Sequence, residues 1–156
     1  NIEYILNLQG DEPMINVEDV KKLNNIVCKK YLDMGTLASK IKRKEYLNDE
    51  NIVKVKTSED LEKKDISMAE KFFRKKVNID NKYIYHHIGI YQYKVPILKK
   101  IVSYAQSINE IKYRLEQLRA MDNNININVI YANSSPIGVD TEKDYVEIKK
   151  LMEYKT

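Results

Sequence analysis

The chain predicts a single α/β domain in which helices flank a layered sheet, mixed or mostly parallel. Three observations carry this. Short runs rich in β-branched and aromatic residues alternate with stretches whose apolar residues recur at helical spacing. The clearest strand run, "YIYHHIGIYQYK" at 83–94, is dense in residues that suit a pleated surface. No internal repeat, low-complexity tract or linker interrupts residues 1–156, so no domain boundary is drawn.

Residues 3–8 read as a strand. Gly10 and Pro13 then break it, with Asp11 and Glu12 between them. This "LQGDEP" turn has two readings: an acidic strand-to-helix turn, or a hard-cation site at the carboxyl end of a strand, where open α/β sheets bind ligands. Asn16 looks like an N-cap with Asp19 at the third helical position, and Val17, Val20, Leu23, Val27 and Tyr31 predict a helix over 17–32. Residues 35–41 and 51–56 read as short strands. Over 58–76 the pattern conflicts: Ser58 resembles a cap and the residues after it are strong helix formers. The strand at 83–94 should place residues 87, 89, 91 and 93 on one face. A helix begins near Pro96, and 108–121 reads as a helix stopped by Asp122, Asn123 and Asn124. Residues 127–132 form a strand and 134–140 a loop, and Thr141 caps a last helix over 142–153.

The 156 residues can bury a real core, and a mean hydropathy of −0.56 describes a soluble globular protein. No apolar run approaches the roughly 18–20 residues a membrane span needs. The net charge of +4 is too small, and too weakly patterned, to point to nucleic acid. Cys28 is the only cysteine, which fits a reducing cytoplasm.

Five local groups carry the chemistry: "LQGDEP", "NIVKV", "HHIGIYQY", "LEQLR" and "IGVDT". In this order and spacing the chain resembles the 3-deoxy-manno-octulosonate cytidylyltransferases, the CMP-Kdo synthetases. The resemblance implies a nucleotide-diphospho-sugar transferase fold, a homodimer in the cytoplasm, and a role in lipopolysaccharide biosynthesis. The implied reaction joins Kdo to CTP with release of pyrophosphate. It needs Mg²⁺ to reduce the repulsion between an anionic sugar acid and a triphosphate.

By the same resemblance Asp11 and Asp140 are the metal ligands. Arg74 keeps the place of a catalytic arginine, and Gln9 lies near the nucleotide. His87, Tyr91, Glu116 and Gln117 line the sugar-acid pocket. Read without it, Asp140 is equally a neighbour of a helix N-cap, and His87 a packed core histidine. Arg119 could serve the sugar carboxylate or a surface ion pair.

The chain also departs from the family pattern. Phe73 stands where a serine is usual, Asn78 where a proline is, and Tyr113 where a glutamate is. None of Gly10, Gly35, Gly89 and Gly138 lies in a phosphate-loop context. The expectation is therefore a C-terminal part of such an enzyme, inactive alone. The rival readings are a non-enzymatic remnant or split-enzyme subunit, and a sialic-acid-type cytidylyltransferase.

Overall fold

The computed structural model describes residues 2–10, 13–42, 44–74, 82–135 and 142–153. Its strands are β1 (Tyr4–Asn7), β2 (Met34–Ser39), β3 (Lys54–Thr57), β4 (Ile66–Phe73), β5 (Ile84–Lys94) and β6 (Asn128–Ala132). The helices are α1 (Val17–Lys29), α2 (Leu61–Lys64), α3 (Val95–Ser103), α4 (Ile108–Tyr113), α5 (Gln117–Asp122) and α6 (Glu142–Glu153). No helix of the described residues is long and apolar enough to cross a membrane.

The sheet order is β1-β5-β2-β6-β4-β3, and β3 also pairs with β5. Pairing therefore runs in a ring from β5 through β2, β6, β4 and β3 back to β5. Of the two readings of the sheet, mixed is the one adopted: β2–β6 is parallel and the other described pairings are antiparallel. Because β1 and β2 both oppose β5, and β6 runs parallel to β2, the strands β1, β2 and β6 point the same way. The chain leaves all three at one sheet edge.

Each face carries its own core. Leu23 and Val27 of α1 pack on Leu37, Ile88, Ile90 and Ile130 of the sheet. On the other face Met34, Val55, Phe72, Tyr85, Tyr91, Leu115, Leu118 and Val129 pack together. Helix α1 approaches β2 so closely that a Cβ on Gly35 would sit 2.4 Å from Val27 Cγ2, which explains the glycine.

Asn16 caps α1 as expected, its Oδ1 accepting from Glu18 N at 2.9 Å. The helix ends at Lys29, short of the expected 32. Tyr31 turns left-handed (φ 51°), while Leu32 N reaches Val27 O and Tyr31 N reaches Cys28 O. This double closure is the Schellman ending, here with tyrosine in place of the usual glycine.

The conflict at 58–76 resolves toward a strand. Asp60, not Ser58, caps the four-residue α2, and Asp65 ends it with φ 62°. The next eight residues form β4. The pairings Lys56↔Lys71 and Thr57↔Ala69 leave Glu70 as an extra residue on β4. This bulge shifts the facing of the residues beyond it, so Phe72 is the ring that turns into the core.

The expected helix over 108–121 is two helices. Ser107 and Glu110 form a capping box that starts α4, and Arg114 closes it in the left-handed region (φ 52°, ψ 51°). Leu115 is buried at the corner before α5 begins. Glu110 and Arg119 join the two helices across this break, with Nε to Oε2 at 2.8 Å and Nη2 to Oε1 at 2.5 Å. The arginine holds the Glu110 carboxyl down at about 2.

Asp19 has a different task from the one its position suggested. It is buried, and its carboxylate accepts from Asn133 N (3.0 Å), Ser134 N (3.1 Å) and the Ser134 hydroxyl. It anchors the chain where it leaves β6.

Candidate functional site

The central strand β5 builds the floor. Its pairing with β2 jumps from Thr36↔Tyr91 to Leu37↔Ile88, leaving Gly89 and Ile90 unopposed. Thr36 stitches this irregularity: its hydroxyl donates to Ile90 O at 2.7 Å, with Ile88 O at 3.3 Å. The extra residues number two, so facing is preserved. His87 opposite Ala38 and Tyr91 opposite Thr36 share one face, as the alternation predicts. Their rings lie 5.5 Å apart, and Phe72 meets His87 edge-on at 5.0 Å.

Above this floor is a cavity of about 250 Å³. Its lining includes Gln9 after β1, Arg74 after β4, His87 and Tyr91 of β5, and Glu116 and Gln117 at the start of α5. Six of the eight expected site residues thus meet in one place. The remaining two, Asp11 and Asp140, lie outside the described residues, as do Asn78 and Thr141. Of the described residues nearest them in sequence, one lines the cavity and one touches its lining. Gln9 lines it, and Ser135 Oγ is 3.0 Å from Nδ1 of His86, which also lines it. Among the described residues no group of three or more His, Cys, Asp or Glu could hold a metal ion.

Gly89 lines the cavity beside His87 and Tyr91, as the alternation predicts, whereas Asn51, His86 and Arg114 were not anticipated. His86 was visible only as the first of a histidine pair, and Arg114 only as a basic residue beside "LEQLR". Arg119, in contrast, is committed to Glu110 and does not line the cavity. Phe73 lines a second, larger hollow of about 870 Å³, together with Tyr113, Leu118 and Met121. The rings that replace a serine and a glutamate therefore stand outside the smaller cavity.

The rim at 49–53 is held by two cations. Lys54 is fully buried, and its Nζ donates to Asp49 O and Arg74 O, both at 2.5 Å. Burial keeps its pKa below the ordinary lysine value. Arg74 Nη1 donates to Asn51 O at 2.8 Å and to Glu50 O at 3.4 Å.

Both histidines are neutral at pH 7. Burial first, and the Lys54 charge second, lowers His86 to about 4. Burial first, then His86 and Arg74, lowers His87 to about 3. Thr36 gives its proton to a carbonyl, so His87 Nε2–H donates to Thr36 Oγ1 at 2.9 Å. Nδ1 of His87 is left as an acceptor. Tyr91 is pushed well above the usual tyrosine range, chiefly by burial, and remains a hydroxyl donor. The floor therefore offers neutral hydrogen-bonding groups to a polar ligand.

These depressed histidines predict acid lability. Below about 6.5 the unfolded chain binds protons that the folded chain refuses until about 4 and 3. The histidines' contribution to stability is therefore fully present above pH 6.5 and is lost as the pH falls. Urea midpoints should drop steadily from pH 7 to 5, and His87→Gln should remove roughly one proton from that dependence.

The fold and site together define a layered α/β domain with a polar, ligand-sized cavity over a strand-built floor. The fold matches the solved structure of a CMP:2-keto-3-deoxy-manno-octonic acid synthetase complexed with CTP. There the TM-score is 0.84 at 29% identity, covering 99% of this chain and 63% of that one. A UDP-glucose pyrophosphorylase complexed with UDP-glucose shares the fold at TM-score 0.68 and 14% identity, covering 99% of this chain and 57% of that one.

The chain belongs to the cytidylyltransferase family, whose model matches residues 1–129. The 3-deoxy-manno-octulosonate cytidylyltransferase of Bartonella tribocorum is 35% identical over 148 residues, covering 95% of this chain and 60% of that protein. The same-named protein of Thermodesulfovibrio yellowstonii is 35% identical over 158 residues, with the same coverage. The chain thus spans about 60% of the length of these relatives.

Proposed function

We propose that this chain forms the sugar-acid side of a CTP:Kdo cytidylyltransferase. In that reaction the anomeric hydroxyl of Kdo attacks the α-phosphorus of CTP. A phosphorus–oxygen bond forms, the α–β anhydride breaks, and pyrophosphate and the hydroxyl proton leave. The carrying observation is the convergence of Gln9, Arg74, His87, Tyr91, Glu116 and Gln117 on one sugar-sized cavity. Family membership and the names its relatives bear support it.

In this reading His87 Nδ1 and Glu116 accept from sugar hydroxyls, and Tyr91 and Gln117 donate to sugar oxygens. The buried, neutral floor strengthens these bonds by excluding water. Asp11 and Asp140 would hold Mg²⁺. Two carboxylates suit a hard cation, and both residues come after strands, β1 and β6, that end at the same sheet edge. Bound there, the ion would offset the charge repulsion between the two anionic substrates. The enzyme would work in the cytoplasm as a homodimer, supplying lipopolysaccharide biosynthesis.

The test uses purified residues 1–156. Kdo should bind, by calorimetry or ligand-observed NMR, while CTP, Kdo and Mg²⁺ together release no pyrophosphate. Release should appear when a separately expressed N-terminal portion of a relative is added. Failure to bind Kdo at millimolar ligand would overturn the reading.

A further inference from the structure

Among the described residues three charged side chains line the smaller cavity: Arg74, Arg114 and Glu116. His86 and His87 add no charge at neutral pH. Among the described lining residues the balance is positive, which suits an anionic group.

The two arginines are not equivalent. Arg74 Nη1 is engaged by the carbonyls of Asn51 and Glu50 and helps to hold the rim. The Arg114 guanidinium makes no hydrogen bond or ion pair with any described residue. Its side chain is exposed, and it lines both the smaller cavity and the larger hollow beside it. Its backbone is left-handed (φ 52°, ψ 51°), a conformation unfavourable for a residue with a Cβ. Two contacts on either side of it maintain that conformation: the buried Leu115 and the Glu110–Arg119 pair. A continuous helix through 108–122 would carry residue 114 on a regular helical face; the break sets it at the cavity wall instead.

We propose that Arg114 is a specificity-determining residue that reads the carboxylate of the sugar acid, leaving Arg74 to keep the rim in place. The proposal rests on the sugar-acid reading of the cavity. Guanidinium suits the task because its planar fork meets both carboxylate oxygens at once and stays charged at every working pH. Discrimination then falls on the acid group, while His87, Tyr91 and Gln117 read the rest of the ring.

Arg114→Gly separates recognition from folding, because glycine takes the left-handed conformation without strain. Residues 1–156, unmodified and as Arg114→Gly and Arg114→Lys, are titrated with Kdo and with its neutral carboxamide. The glycine variant should bind Kdo about ten- to a hundredfold more weakly, with carboxamide affinity unchanged. The lysine variant should fall between, and the glycine variant should melt no lower than the unmodified chain. Unchanged Kdo affinity in the glycine variant overturns the proposal, as does an equal loss of both ligands or a lowered melting point. If the unmodified chain binds no Kdo, the sugar-acid reading itself fails, before any substitution is compared.

Discussion

Arg119→Met should destabilise the chain by about 3 kcal/mol, read as a lower urea midpoint. The Glu110 carboxylate is almost wholly buried, and two of its hydrogen bonds come from Arg119. Without the arginine, the carboxylate keeps only Gln106 and the Ser107 N–H. A buried charge left so poorly matched costs more than the ion pair ever contributed. Arg119 is itself partly exposed, which places the effect at the lower end of the range for buried pairs. The double variant Glu110→Leu/Arg119→Met should recover most of the loss, less the capping box. If the single and double variants are equally unstable, the burial argument fails. Because this pair spans the break between α4 and α5, Arg119→Met should also weaken Kdo binding through displaced Glu116 and Gln117.

Asp19→Ala should be at least as damaging, about 3 kcal/mol or more. It strands two backbone N–H groups and a hydroxyl that now share one buried carboxylate. Asp19→Asn should cost less, since the amide oxygen still accepts, although its NH₂ then faces a donor. Hydrogen exchange supplies the second measurement. Amides of Asn133 and Ser134 should lose protection in Asp19→Ala, while those of β2 and β5 change only with global stability. Loss spread evenly over the chain would argue against a local anchor.

Much of the fold could be read from residue order. The aromatic, β-branched run at 83–94 announced β5, and its alternation correctly placed His87 and Tyr91 together. Asn16 announced its helix because capping is a local interaction. Where long-range contacts decide, the local signal misled. The helix formers at 58–72 gave way because Ser67, Ala69 and Phe72 bury one face of β4, and tertiary packing outweighs propensity. The break at Arg114 left no trace, since no glycine or proline marks it and it depends on burying Leu115. Asp19 looked like a capping residue because its partners lie more than a hundred positions away. The six cavity residues were found through motif resemblance, and their convergence depends on pairings that no spacing reveals.

The strand β5 pairs with β2 along one edge and with both β3 and β1 along the other. A shift of its register would break three ladders at once. His87 and Tyr91 are thus among the least adjustable parts of the molecule: drift that moves them also dismantles the fold. The opposite wall, from Arg114 to Gln117, belongs to no ladder and hangs between two short helices. Divergence in ligand preference should therefore accumulate on the helical wall while the strand wall stays fixed. A library that varies the exposed Tyr113, Arg114 and Glu116 while Leu115, Gln117 and β5 stay constant would sample new specificities at the smallest cost in folded protein.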